Sequence, residues 1–131
     1  MNFFTTKNLT ILIGSVFILI LGISCKKNQI GGKAEVSGYV KHHGKSIPYA
    51  RIFIKYNAKD FPGDDTTIYD AKVSADANAF YTINFYKGDY YLYAVGYDYA
   101  IPPPYVVKGG TSVHLRFNEK RSLDLYVTEG D

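Results

Sequence analysis

The 131-residue sequence has very little cysteine, tryptophan or methionine, and no strong excess of charge of either sign. Cys25 is the only cysteine, which excludes a disulfide framework, a cysteine zinc cluster and a CxxC redox pair. The net charge of +3 is too small for the dense basic face of a nucleic-acid-binding protein. There is no Trp and one Met, but there are thirteen Tyr and eight Phe, a composition that favours strands over helices. The length suits one domain.

Residues 1–24 have the features of a targeting segment rather than of a folded element. Their only charge is on Lys7, and residues 9–23 form an apolar run of 15 residues. That run is shorter than the roughly 20 apolar residues that a membrane-spanning helix needs. It ends at Ser24-Cys25, where the composition turns abruptly polar. A cleaved secretory signal is the favoured interpretation.

This junction resembles the lipobox of bacterial lipoprotein signal peptides. Small Ser24 precedes Cys25 as in that motif, although Gly22 stands where Leu is usual. The resemblance implies cleavage before Cys25, a diacylglyceryl thioether on its sulfur and acylation of its amine, for instance by palmitate. Each buried CH₂ of an acyl chain contributes about 0.8 kcal/mol, so two or three chains hold a protein durably on a membrane. An uncleaved membrane helix and a free Cys after an ordinary signal peptide are the alternatives.

We therefore expect a lipid-anchored protein of the cell envelope, on the outer membrane and facing the periplasm. Residues 25–32 would be the lipidated Cys and a flexible tether that ends in Gly31-Gly32. The folded domain would occupy residues 33–128.

Within residues 33–128, apolar and polar residues alternate with period 2, and no helical period stands out. Turn residues separate the alternating runs, and seven short strands predict an all-β sandwich. A hairpin is predicted around Gly88, and residues 101–104, with three prolines, predict a stiff polyproline-like crossing. The residues predicted to face inward are Ala34, Val36, Gly38, Val40, Ala50, Ile52, Ile54, Tyr56, Phe80, Thr82, Phe85, Tyr90, Leu92 and Ala94.

Three runs resemble carboxypeptidase regulatory-like domains: Ser37-Gly38-Tyr39-Val40, Ile47-Pro48-Tyr49-Ala50, and the stretch from Phe80 to Gly96-Tyr97. The resemblance implies a seven-stranded prealbumin-like (transthyretin-like) Greek-key β-sandwich. Asn78 departs from the pattern, because Gly is usual there. Asn tolerates the left-handed region, so the turn can be kept. The shared motif is structural and implies no chemistry.

No catalytic site, resident metal or cofactor is predicted. Iron dioxygenases of the prealbumin-like fold carry His-x-His, whereas His42 and His43 are adjacent and would point to opposite faces of a strand. His114 is expected at the surface. Residues 126–131, Tyr-Val-Thr-Glu-Gly-Asp, do not match the active-site Tyr-Arg-Gly-Ser tail of the transthyretin-like hydroxyisourate hydrolase, so that activity is not expected.

Two adventitious metal sites stay open at this stage. Zinc or nickel could bind at His42 and His43. The acidic loop with Asp60, Asp64 and Asp65 could bind Ca²⁺, although a solvated loop is the favoured interpretation.

The outward face of the predicted hairpin carries Tyr81, Ile83, Tyr91, Tyr93 and Val95. On one face of an antiparallel pair they would form an exposed patch of the size that marks an interaction site. We therefore expect a non-enzymatic module that binds an envelope protein through this face or through a free strand edge. Carbohydrate binding, with the three tyrosines as stacking platforms, is the alternative. The face could also be an ordinary strand surface covered by a neighbouring segment, and a metal-dependent enzyme is the least favoured function.

Overall fold

A computed structural model describes residues 26–129. This part of the chain contains one 3₁₀ turn, Thr66–Ile68, and has no α-helix. No helix long and apolar enough to cross a membrane is found among the described residues. Nine strands occur in this range: β1 (Ile30–His42), β2 (Lys45–Ser46), β3 (Arg51–Tyr56), β4 (Ala71–Ser74), β5 (Phe80–Phe85), β6 (Gly88–Tyr97), β7 (Val106–Leu115), β8 (Lys120–Ser122) and β9 (Leu125–Tyr126).

The strands form two sheets with a common core, so the all-β sandwich prediction is confirmed. In the first sheet, β1 pairs antiparallel with β2 and β5 and parallel with β8 and β9. The second sheet has the order β4-β3-β6-β7, and all its pairs are antiparallel. β2 and β8 are two and three residues long, too short for alternation to be recognised, which explains why the sequence predicted seven strands instead of nine.

The even-numbered residues of three strands supply much of the core, as the alternation predicts. Because successive side chains of a strand point to opposite faces, one parity is buried along its whole length. Val36 and Val40 of β1, Ile52 of β3, and Tyr90 and Leu92 of β6 are all fully buried. The inward assignments for β1, β3 and β6 are therefore correct.

The predicted hairpin of β5 and β6 is wrong. β5 belongs to the first sheet and β6 to the second, so residues 86–87 cross between the sheets. In β5 the odd residues are buried: Tyr81 is 2% exposed and Ile83 4%, while Thr82 faces solvent. Phe85 decides this parity, because its ring packs in the core 4.4 Å from the Tyr90 ring. Tyr81 tolerates burial because its hydroxyl donates a hydrogen bond to the Leu123 carbonyl.

The predicted flexible tether is partly ordered. Its last residues, 30–32, already belong to β1. The Asn28 N–H donates to the Lys87 carbonyl at 2.9 Å, and the Gln29 carbonyl accepts from the Tyr86 N–H at 2.8 Å. Gly88 has the positive φ that the sequence predicts, and a Cβ there would collide with the Asn28 side chain. The tether is thus held against the crossing between β5 and β6.

Residues 101–104 do not cross the molecule. They lie in the loop that joins β6 to its antiparallel neighbour β7, where the Asp98 N–H donates to the Tyr105 carbonyl at 2.8 Å. Strand β7 ends at Leu115, so Phe117 does not continue it and is exposed.

The turn before β5 is present, but its left-handed residue is Ala79, with φ 64°, and not Asn78. The Asp76 carboxylate stabilises this turn, because it accepts hydrogen bonds from the Asn78 and Phe80 N–H groups.

Candidate functional site

The five residues of the predicted binding patch do not form one surface. Tyr81 and Ile83 lie in the core, as described above. On β6, Tyr91 and Val95 are half-buried, while Tyr93 is only 3% exposed. The loop between β3 and β4 covers them: the Phe61 ring lies 5.6 Å from Tyr91 and 5.2 Å from Tyr93. The three-tyrosine platform is therefore a wrong prediction, and Tyr91 is its only tyrosine with substantial exposure.

A groove of about 420 Å³ lies beside this covered face and is lined by Phe61, Tyr91, Lys108 and neighbouring residues. At its base, the Tyr93 hydroxyl donates to Asp64 at 2.7 Å and Lys108 Nζ lies 3.2 Å from the same carboxylate oxygen. These two contacts lower the pKa of Asp64, and burial raises that of Tyr93. We call this site the Phe61 groove.

The carboxylates weighed for Ca²⁺ binding are used within the fold. Asp64 has the partners just named, and Asp65 caps the 3₁₀ turn by accepting from the Thr67 N–H and hydroxyl. Those hydrogen bonds lower the pKa of Asp65. Asp60 and its neighbours do not form a metal-binding group among the described residues.

A second pocket, of about 490 Å³, lies between the end of β6 and the segment that joins β2 to β3. We call it the tyrosine pocket. Its aromatic walls are Tyr49, Tyr97 and Tyr99, which are 69%, 53% and 77% exposed. The Tyr97 and Tyr99 rings are nearly parallel, at 15° with centroids 6.4 Å apart. Lys45 and Ser46 supply polar groups at the rim.

Close packing at Gly96 shapes this pocket. A Cβ at Gly96 would lie 2.6 Å from Ile47 Cγ2, so glycine allows residues 47–50 to lie directly against the end of β6. Tyr49, at φ 59°, is thereby placed beside Tyr97. These tyrosines are not part of the predicted patch, although Tyr97 and Tyr99 simply continue the odd-numbered series of Tyr91, Tyr93 and Val95.

A buried hydrogen-bonded pair, His42 and Asp98, lies behind the tyrosine pocket. His42 Nδ1 is 2.8 Å from Asp98 Oδ2, and the two residues are 3% and 4% exposed. Lys45 Nζ and the Ala100 N–H donate to Asp98 Oδ1 at 2.8 and 2.9 Å. The Lys45 contact, followed by those from His42 and Ala100, holds the pKa of Asp98 well below its ordinary value.

The opposite-face prediction for His42 and His43 is wrong. His42 ends β1, and His43 adopts φ 48° in the following turn, so strand alternation no longer applies. The two ring centroids are 4.3 Å apart. His42 could have been placed in the core from the sequence, because it is the next even-numbered residue after Val40. His114 is exposed as predicted and pairs with Asp89 at 2.8 Å.

Comparison with known proteins identifies the fold but no family. No protein-family model matches the sequence, and no curated protein matches it. A DUF3823 family protein from Parabacteroides merdae is similar, with a TM-score of 0.44 and 13% identity over 75% of this chain and about half (47%) of that one. A candidate carbohydrate-binding protein from Pseudomonas aeruginosa aligns with a TM-score of 0.51 and 13% identity over 76% of this chain and 91% of its own. The likeness to the P. aeruginosa protein supports a β-rich fold, while the carboxypeptidase regulatory-like assignment stays a prediction.

The predicted lipidation site, Cys25, and the predicted signal peptide, residues 1–24, lie outside the described residues.

Proposed function

We propose that this chain is a non-enzymatic, lipid-anchored binding module of a bacterial envelope, and that the tyrosine pocket binds carbohydrate. The observation that carries the proposal is the pair of exposed, nearly parallel rings of Tyr97 and Tyr99 at the mouth of a pocket. The face of an aromatic ring is electron-rich, and the C–H face of a pyranose carries the complementary partial positive charge. Two flat rings can therefore stack on a sugar chain.

The polar groups of the pocket fit a ligand rich in hydroxyls. Lys45 lies at the rim with its side chain more than half exposed, and its ammonium remains able to donate further hydrogen bonds. The tyrosine hydroxyls and Ser46 both donate and accept. A few directional polar groups beside an apolar wall are the usual composition of a small-ligand site.

The position of the pocket also fits a membrane-anchored receptor. Asn28 packs at the start of β6, where its side chain accepts from the Asp89 N–H. Tyr97 stands at the other end of the same strand, about 30 Å away at 3.4 Å per residue. A lipid on Cys25 would thus leave the tyrosine pocket at the end of the sandwich far from the membrane.

Two likenesses are compatible with this function. The P. aeruginosa protein, itself a candidate carbohydrate binder, has the same type of sandwich. The resemblance of this sequence to prealbumin-like regulatory domains implies a module without catalysis.

A glycan array tests the proposal. We expect the wild-type chain to bind a restricted set of oligosaccharides, and Tyr97→Ala and Tyr99→Ala each to weaken binding to the best of these about tenfold, equivalent to about 1.4 kcal/mol. Tyr126→Ala is the matched control, because Tyr126 is equally exposed but lies outside the pocket. An array without hits, or hits that both pocket variants retain at full affinity, would refute carbohydrate binding here.

The second candidate function is recognition of an envelope protein at the Phe61 groove. Phe61 is about half exposed above this groove, and the Asp64–Lys108 pair provides charge beside it. In this case Phe61→Ser combined with Tyr91→Ala should abolish cross-linking to an envelope protein, whereas the Tyr97→Ala variant should retain it. Cross-linking that survives the double substitution contradicts this candidate.

A further inference from the structure

We propose that His42, His43 and Glu129 bind one divalent transition-metal ion, with Zn²⁺ as the best fit, at the end of the sandwich behind the tyrosine pocket. Each residue offers one ligand atom, and the three atoms lie within 4.8 Å of one another. The site lies outside the sugar-binding walls and does not depend on the carbohydrate proposal.

The buried His42 ring supplies the observation that points to a ligand. Its Nε2 is buried and has no hydrogen-bond partner among residues 26–129. The nearest carboxylate oxygen, Glu129 Oε1, is 3.6 Å away, which is too far for a hydrogen bond. A buried polar atom without a partner is costly, and a metal ion between Nε2 and Glu129 would remove that cost.

Asp98 prepares His42 for this role. A carboxylate only accepts hydrogen bonds, so the Asp98 contact at Nδ1 places the ring proton on Nδ1 and leaves the Nε2 lone pair free. A carboxylate behind a ligating histidine is the usual arrangement that orients the ring and raises its basicity. Lys45 and the Ala100 N–H hold Asp98 in place.

Backbone hydrogen bonds bring the three ligand residues close together, and the side chains of two of them can change rotamer. The Val127 N–H donates to the Lys41 carbonyl at 2.9 Å, and Thr128 pairs with Lys108, which brings Glu129 beside His42. Tetrahedral Zn²⁺ with bonds near 2.0–2.1 Å needs its ligand atoms about 3.3 Å apart. The side chains of His43 and Glu129 are exposed, so both can close this distance by rotamer changes.

The donor set selects the class of metal. Two imidazole nitrogens and one carboxylate suit Zn²⁺, Cu²⁺ or Ni²⁺ better than Ca²⁺ or Mg²⁺, which prefer all-oxygen sites. The carboxylates of Asp98 and Glu129 outweigh the single ammonium of Lys45, so the surroundings favour a cation. Three protein ligands leave a fourth position for water.

Isothermal titration of the untagged full chain with ZnCl₂, after EDTA treatment and in a Cys25→Ser background, tests the site. We expect close to one equivalent to bind, and His43→Asn and Glu129→Gln each to weaken the affinity at least tenfold. Asn suits the left-handed backbone at position 43, and both residues are exposed, so these variants should fold. His114→Ala is the matched control, because His114 is a surface histidine that pairs with an aspartate. The zinc affinity of this variant should equal that of the Cys25→Ser chain.

A second readout is the Co²⁺-substituted chain, whose visible absorption reports the ligand geometry. We expect an intense tetrahedral spectrum that is lost in His43→Asn and kept in Tyr97→Ala. Absence of zinc binding would overturn the proposal, as would binding that His43→Asn and Glu129→Gln leave unchanged. In the first case the chain holds no zinc, and in the second the zinc binds at another place on the chain.

Discussion

The two buried polar side chains His42 and Asp98 are hydrogen-bonded to each other in the interior of the sandwich. Each residue is the next even-numbered position after a buried run, one at the end of β1 and the other just beyond β6. Both therefore point inward from opposite sheets. The Asp98 carboxylate accepts from Lys45, His42 and the Ala100 N–H, so its charge is compensated despite burial.

The depressed pKa of Asp98 predicts a specific pH dependence. A carboxyl whose pKa is lower in the folded chain than its ordinary 3.8 stabilises the fold fully above that value. This stabilisation is lost as the pH falls below 3.8 and through the folded-state pKa. Asp98→Asn should therefore lower the free energy of unfolding at pH 6, and the difference from wild type should shrink by pH 2.5.

Urea unfolding at the two pH values measures this effect. Asp60→Asn, at an exposed aspartate, serves as the control and should show a difference near zero at both. A deficit of Asp98→Asn that is as large at pH 2.5 as at pH 6 would show that the substitution acts through packing instead of charge.

Among the elements, β1 imposes a strict steric demand at Gly38. It pairs with four other strands, and at Gly38 the chain between β8 and β9 passes so close that a Cβ would collide with the Leu123 carbonyl. The Leu123 N–H donates to the Ser37 carbonyl at 2.8 Å, so this backbone cannot move away without losing a ladder hydrogen bond. Glycine is required here by close approach and not by a positive φ.

Gly38→Ala should therefore lower the free energy of unfolding by about 1–3 kcal/mol, the usual cost of overpacking. Equilibrium urea unfolding followed by circular dichroism gives the value. Ser37→Ala, the neighbouring change in the same strand on the half-exposed face, should stay within about 0.5 kcal/mol of wild type. Equal stabilities of the two variants would mean that β8–β9 can move away from β1.

Comparison of the strands shows which elements were predictable. In β1 and β3 the aliphatic residues keep the even parity, so their inward faces were assigned correctly. β6 is apolar on both parities, and its even-numbered residues were nevertheless assigned inward correctly. In β5 the apolar residues Phe80, Tyr81, Ile83 and Phe85 occupy both parities; the inward assignment was correct for Phe85 and wrong for Phe80 and Thr82. The contact of Phe85 with Tyr90 across the core decides the parity, and no pattern within β5 contains it.

For the molecule as a whole, the connection to the proposed anchor is short. Asn28 is already hydrogen-bonded to Lys87, so only Lys26 and Lys27 separate Cys25 from the first residue held by the fold. The sandwich would therefore stand close to the membrane, with the tyrosine pocket and the metal site at its far end.

Cys25→Ser tests the anchor. Because acyl chains and not the sandwich would hold the protein on the membrane, the variant should move to the soluble fraction after ultracentrifugation and should lose incorporation of labelled palmitate. Its melting temperature should match that of wild type, since the described contacts of the sandwich do not involve residue 25. Persistent membrane attachment would instead indicate an uncleaved helix in residues 1–24.

The sequence by itself determined the class of fold and most of the core, because period-2 alternation is a local property that each strand carries alone. Only the tertiary structure decided which strands share a sheet, that Phe61 covers Tyr93, and that His42 meets Asp98 from 56 positions away. Such contacts depend on how distant strands pair and on where loops fold back. The spacing of residues within one strand does not encode strand pairing or loop positions. The tyrosine pocket and the histidine site therefore form only when the two sheets are brought together.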